Sequence, residues 1–266
     1  MPRLSALLPA LLAALAVAPG CQAQNRPAPA ALAPPPASAA PAALAPSARS
    51  MASAAGYEDG EASADGTGRR YMGREVARVM SHRGAAWLER DDRALEERPD
   101  ILLRALRLAP DDVVADLGAG TGYFTFRLAA EVPQGRVYAV DIQREMLAIV
   151  EARADRENVR NVEPVLGTEA DPNLPPASVD VSLLVDAYHE FAYPREMLAA
   201  LYAATKPGGR VVLVEYRAED PDVPIRRLHK MTEAQVRREV EAAGFRFVEN
   251  LDALPTQHLL VFERAR

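Results

Sequence analysis

Cysteine is almost missing from this chain: its 266 residues include one, Cys21. A disulfide framework and a cysteine-based metal site are therefore excluded. Aromatic residues make up 6% of the sequence, with a single tryptophan, and basic residues are outnumbered, giving a formal net charge of −6. No basic stripe interleaved with aromatics is present, which argues against a nucleic-acid surface. The four histidines, His82, His189, His229 and His258, are too scattered in sequence to form a zinc motif, so no metal is expected. The apolar, Leu/Ala-rich run Leu4 to Val17 is short for a membrane span and is interrupted by Pro9.

What is present falls into two kinds of sequence. Arg3, the apolar stretch to Val17 and the small residues before Cys21 have the layout of a secretory signal over residues 1–21. Because Cys21 follows Gly20, the segment also resembles a lipoprotein signal, in which Cys21 would be lipidated and anchor the chain to a membrane. Ala18 and Pro19 depart from that pattern. Three readings stay open: an exported periplasmic protein, a membrane-anchored lipoprotein, or a cytoplasmic protein with an alanine-rich tail. Residues 22–68 are rich in Ala, Pro, Ser and Gly. Such a segment buries too little apolar surface to offset its chain entropy and is expected to be a disordered linker.

A folded domain is expected over residues 69–266. Its first part, 69–110, reads as a helical cap with helices over Tyr71–Met80 and Ala85–Leu108. From residue 111 strands and helices alternate. Strands are expected at Val113–Leu117, Arg136–Ile142, Val162–Leu166, Val179–Val185, Arg210–Tyr216, Arg246–Asn250 and His258–Glu263. Helices fall between them, one opening at Pro194 and one at the capping box Thr232-x-x-Gln235. This alternation predicts an α/β fold with a doubly wound, seven-stranded, mostly parallel sheet.

The chemistry is concentrated after the first of these strands, in Asp116-Leu117-Gly118-Ala119-Gly120-Thr121-Gly122. Glycines at alternate positions let the backbone turn sharply and approach a ligand closely. The spacing G-x-G-x-G, with an acid ahead of it, differs from the dinucleotide fingerprint G-x-G-x-x-G. A pyrophosphate is poorly served by a nearby carboxylate, whereas a cationic ligand is well served. A nicotinamide oxidoreductase is disfavoured on these grounds.

Over roughly Asp112–Arg264 the sequence resembles the class I S-adenosylmethionine-dependent methyltransferases, and among them a subgroup of exported bacterial proteins. The resemblance implies that Asp116, Gly118, Ala119, Gly120, Thr121 and Gly122 wrap the methionine part of S-adenosylmethionine. It further implies that Asp141, nineteen residues after Gly122, binds the ribose hydroxyls with Ile142 beside it. Thr168 and Glu169 stand where relatives meet the adenine, although an aspartate is usual at the position of Thr168. Asp186 opens the run Asp186-Ala187-Tyr188-His189-Glu190-Phe191 at the end of the fourth strand, beside the expected methyl group. There His189 is a candidate proton acceptor, Tyr188 a candidate for orienting a small-molecule acceptor, and Glu190 a partner for the imidazole. His229 lies in a loop at the same sheet edge. The expectation is methyl transfer to a small molecule; the alternative is a module that binds the cofactor without catalysis.

Overall fold

The computed structural model describes residues 56–266. The signal-like segment, Cys21 and most of the Ala/Pro-rich stretch lie outside the described residues. No helix among the described residues is long and apolar enough to cross a membrane.

The strands assemble into one seven-stranded sheet in the order β6-β5-β4-β7-β8-β10-β9. These are β4 (Val113–Leu117), β5 (Arg136–Asp141), β6 (Val162–Leu166), β7 (Val179–Val185), β8 (Thr205–Tyr216), β9 (Arg246–Asn250) and β10 (Gln257–Glu263). Strands β4 to β8 pair in parallel, and β10 is antiparallel to both of its neighbours. Successive side chains of a strand point to opposite faces, so a sheet buried on both sides needs near-continuous apolar strands. The sequence supplies them. Ala115, Leu184 and Leu213 pack on one face with Leu198 and Leu201 of helix Pro194–Ala204 and with Val236 and Val240 of helix Glu233–Ala242. Val114, Val181, Leu183, Val212 and Val214 pack on the other, against Leu102, Leu106 and Leu128. The chain first runs outward from β4 to β6, then returns to place β7 on the far side of β4. That reversal opens a crevice beyond the carboxyl ends of β4 and β7, where open α/β sheets bind ligands.

Residues Lys206–Gly209 form a bulge inside β8: Thr205 pairs with Val179, and pairing resumes at Arg210 with Val181. The capping box forms as expected, the Thr232 hydroxyl accepting from the amide of Gln235.

The N-terminal part differs from the expected helical cap. Residues 57–77 form an antiparallel three-stranded meander, β1 (Tyr57–Asp59), β2 (Gly66–Tyr71) and β3 (Arg74–Ala77). Helix Tyr71–Met80 fails because Met72 and Gly73 both adopt positive φ, +49° and +88°, joining paired Tyr71 and Arg74 by a two-residue hairpin turn. Residues 57–68, expected to belong to the linker, are part of this meander. Tyr57 is buried against Tyr71 with ring centroids 5.1 Å apart, and its hydroxyl donates to Glu196 at 2.5 Å. Glu75 staples the meander by accepting from the amides of Ser63 and Gly68 and from the Ser63 hydroxyl. The helix expected over Ala85–Leu108 is three short ones, α1 (Ala85–Leu88), α2 (Arg93–Glu97) and α3 (Pro99–Leu106). Proline disfavours a helical conformation in the residue before it; Arg98, which separates the last two helices, has left the helical region for φ +49°.

Replacing Tyr57 tests whether the meander belongs to the domain. Tyr57→Ala is expected to destabilise the full chain by about 3 kcal/mol, the scale of a large aromatic truncation. Tyr57→Phe should cost only about 1 kcal/mol for the lost hydrogen bond. Urea denaturation measures both.

Candidate active site

The floor of the crevice is the glycine turn after β4. Gly118 and Gly120 have φ of +74° and +55°, a region that side chains other than glycine rarely enter. A Cβ on Gly118 would stand 2.7 Å from Cβ of Ala187, and one on Gly120 2.7 Å from Leu88 Cδ1. The turn is tied to β5 by the amides of Gly118 and Ala119, which both donate to the Val140 carbonyl. Asp141 completes the tie: Oδ2 accepts from the Gly120 amide at 2.9 Å and Oδ1 from the Gln143 amide at 2.8 Å. Asp116 is buried beneath the turn, where the Thr125 hydroxyl donates to its Oδ2 at 2.6 Å. Burial pushes its carboxyl up to about 6, although the Thr125 hydrogen bond and the charge of Arg93 pull the other way.

A chamber of about 620 Å³ rises from this floor. Asp116, Gly118, Ala119, Gly120, Asp141, Ile142, Thr168, Glu169 and Asp186 all line it. Thr121 and Gly122 stand behind the wall, Thr121 using its hydroxyl to hold Glu89 at 2.6 Å. The Thr168 hydroxyl is engaged by the amides of Ala170 and Asp171, which fix the loop after β6. Asp186 directly follows β7 in a left-handed conformation, φ +49°. Its Oδ2 accepts from Gln257 at 2.7 Å, while the buried Oδ1 has no hydrogen-bond partner among the described residues. Burial, and then the charges of Glu97 and Glu215, raise this carboxyl well above its ordinary range.

The far end of the chamber is built on the short 3-10 turn Tyr188–Glu190. His189 is buried, with Nδ1 2.6 Å from Glu215 Oε2 and Nε2 3.1 Å from Nδ1 of His229. Burial pulls this imidazole down, but the Glu215 carboxylate more than offsets it, leaving His189 raised. His229 is lowered, by burial and by the neighbouring His189 charge. The two ring nitrogens are within hydrogen-bonding distance, and the tautomers set which of them donates. Glu190 is held by the Met80 amide, and burial raises its carboxyl to about 7. Tyr188 departs from its expected role. It is fully buried, turned away from the chamber, and its hydroxyl donates to Glu239 Oε2 at 2.6 Å. In the sequence it sits beside His189, but a 3-10 turn sends adjacent side chains to different sides.

Glu215 went unrecognised in the sequence, yet it had a signal: a lone acid in the apolar strand Val211-Val212-Leu213-Val214-Glu215-Tyr216. A charge in a central strand is rarely buried without a partner. The contribution of Met80 had no signal, because it is a backbone amide.

A family model described as a methyltransferase domain matches residues 114–209. An uncharacterized methyltransferase-like protein of Schizosaccharomyces pombe is 35% identical over 112 residues, 42% of this chain and 41% of that protein. A demethylmenaquinone methyltransferase of Lactococcus lactis is 32% identical over 113 residues, 42% of this chain and 44% of that one. The chain thus spans about two-fifths of the length of these relatives. In fold it is similar to a SAM-dependent methyltransferase from Aquifex aeolicus, with TM-score 0.66 and 23% identity, over 70% of this chain and 99% of that one. Residues 114–209 thus match a methyltransferase domain, and the fold around them is that of the SAM-dependent methyltransferase from Aquifex aeolicus.

The chamber of this methyltransferase domain fits S-adenosylmethionine. Its positive-φ glycines leave a cradle that a Cβ would fill, and the unpartnered Asp186 Oδ1 and the buried Asp116 carboxylate suit a cationic, phosphate-free ligand.

The charge on Asp116 makes a prediction about pH. A carboxyl raised to about 6 is ionised above that pH and neutral below it, so affinity for the cationic cofactor should fall as pH drops through about 6. Asp116→Asn should flatten that step in calorimetric titrations. At neutral pH, Asp116→Ala should weaken binding by about 1.5–3 kcal/mol, the scale of a charge-assisted hydrogen bond.

Proposed function

We propose that this domain transfers a methyl group from S-adenosylmethionine to a small-molecule acceptor held at the His189–Glu190–His229 end of the chamber. The observation that carries the reading is continuity: one chamber joins the glycine turn to these three polar side chains. Its volume of about 620 Å³ lies in the range of small-ligand sites. The Lactococcus relative, whose name identifies it as a demethylmenaquinone methyltransferase, supports a small acceptor in place of a macromolecule.

When bound, S-adenosylmethionine supplies a methyl group on a sulfonium, already activated for transfer. The chain's own task is alignment, and holding two reactants in register removes much of a barrier. Asp141 is assigned to the ribose hydroxyls: each of its oxygens accepts one amide and retains lone-pair capacity for another donor. Asp116 and Asp186 are assigned to the cationic part, and Ile142, Thr168 and Glu169 to the base. His189 is assigned to the acceptor. Glu215 fixes its ring through Nδ1, which leaves Nε2 on the chamber side beside His229 and Glu190.

His189→Ala is expected to cut S-adenosylhomocysteine formation in the presence of an acceptor by roughly 10²–10⁴-fold, with cofactor affinity little changed. Binding and turnover are measured separately, by calorimetry and by product chromatography. Undiminished turnover in the variant would place the acceptor elsewhere. Cofactor binding without turnover on any member of a metabolite extract would favour a binding module.

A further inference from the structure

We propose that His189 Nε2, His229 Nδ1 and Glu190 Oε1 form a binding site for one divalent transition-metal ion of the Zn²⁺ class, at the acceptor end of the chamber.

Three side chains that are far apart or adjacent in sequence bring one lone-pair atom each to a common point. His189 Nε2 and His229 Nδ1 are 3.1 Å apart, and Glu190 Oε1 lies 4.0 Å from the first and 3.7 Å from the second. A triangle with these sides has a point about 2.1 Å from all three corners, the length of a Zn–N or Zn–O bond. An ion there, or slightly to one side of the triangle, meets all three ligands without backbone movement. Two imidazoles and one carboxylate are a borderline donor set. They favour Zn²⁺, Co²⁺ or Fe²⁺ over Mg²⁺ and Ca²⁺, which prefer all-oxygen shells.

The surroundings are those of a built site. A metal-bound histidine is usually oriented by a carboxylate on its other ring nitrogen. His189 has that arrangement, with Glu215 Oε2 2.6 Å from Nδ1, and Glu215 is itself buried and accepts from the Tyr188 amide. On the far side of His229, Asp65 Oδ2 stands 4.0 Å from Nε2. The Met80 amide holds Glu190 through both carboxylate oxygens. The remaining coordination positions open onto the chamber. Three protein ligands with an open position are the pattern of a site that receives a substrate, while structural sites are closed by four. The ion would thus hold a lone-pair donor of the acceptor, a refinement that rests on the proposed function.

The test uses untagged full-length protein, stripped with chelator and titrated with Zn²⁺ by calorimetry and with Co²⁺ by visible absorption. One ion per chain is expected, with the absorption bands of nitrogen-ligated Co²⁺. His229→Ala and Glu190→Gln should each abolish uptake or weaken it by at least 10-fold. Glu215→Gln should weaken it about 10–100-fold through the second ligand shell. His258→Ala, whose ring is held by Asn250 and Glu219 outside the site, should leave uptake unchanged. S-adenosylmethionine affinity, read on the same samples, should stay within a few-fold throughout and shows that each variant is folded. Absence of uptake by the stripped native protein would overturn the proposal. So would uptake that survives both His229→Ala and Glu190→Gln. Loss of S-adenosylmethionine binding in the native protein would instead refute the methyltransferase reading and leave the metal result standing.

Discussion

Two buried acids, Glu215 and Glu239, set the geometry on which the acceptor end of the chamber depends. A carboxylate taken out of water is stable only when its lone pairs are met. Glu215 meets them with the Tyr188 amide and the His189 ring. Glu239 meets them with the guanidinium of Arg74, which is bidentate at 2.9 and 3.0 Å, and with the Tyr188 hydroxyl and Gln235. The turn Tyr188–Glu190 is gripped from both sides. Arg74 also donates to the His189 carbonyl at 3.0 Å, so the grip extends through β3 to the N-terminal meander. The meander is thus a structural part of the site: its Asp65, and Met80 just beyond β3, line the chamber.

How much of this was legible follows from how each feature is encoded. The main sheet was, because apolar strands alternate with helices that carry their own start signals, such as Pro194 and Thr232. The glycine turn and Asp141 were, because only that local sequence permits a close backbone approach at a strand end. The meander was not. Its strands are short and contain Gly66 and Gly68, and their stability comes from a staple at Glu75 and aromatic packing of Tyr57, both long-range relative to any local pattern. The hairpin turn Met72-Gly73 was the available signal, and the apolar spacing around it read equally well as a helix.

The His189–His229 pair illustrates the same limit from the functional side. Forty residues separate them, so no spacing rule for metal or proton-transfer motifs joins them. They meet because β8 returns the chain to the edge where β7 ends, and the loops that follow those two strands face each other across the chamber. Sequence placed each histidine at the correct edge of the sheet. The pairing of β7 with β8 brought them into contact.

Acidic groups dominate the chamber, and that bears on what it can hold. Asp116, Asp141, Asp186 and Glu190 line it, and only Arg78, Arg93 and Arg226 bring permanent positive charge to its wall. Arg93 is already committed to Glu97 at 2.8 Å and to the Leu88 carbonyl. A ligand rich in phosphate would bring like charge toward carboxylates that burial has deprived of water, at a cost that grows in a low-dielectric site. A ligand with positive charge instead relieves the same strain. In the proposed function, Asp116 and Asp186 therefore favour a cationic, phosphate-free ligand over a phosphate-rich one.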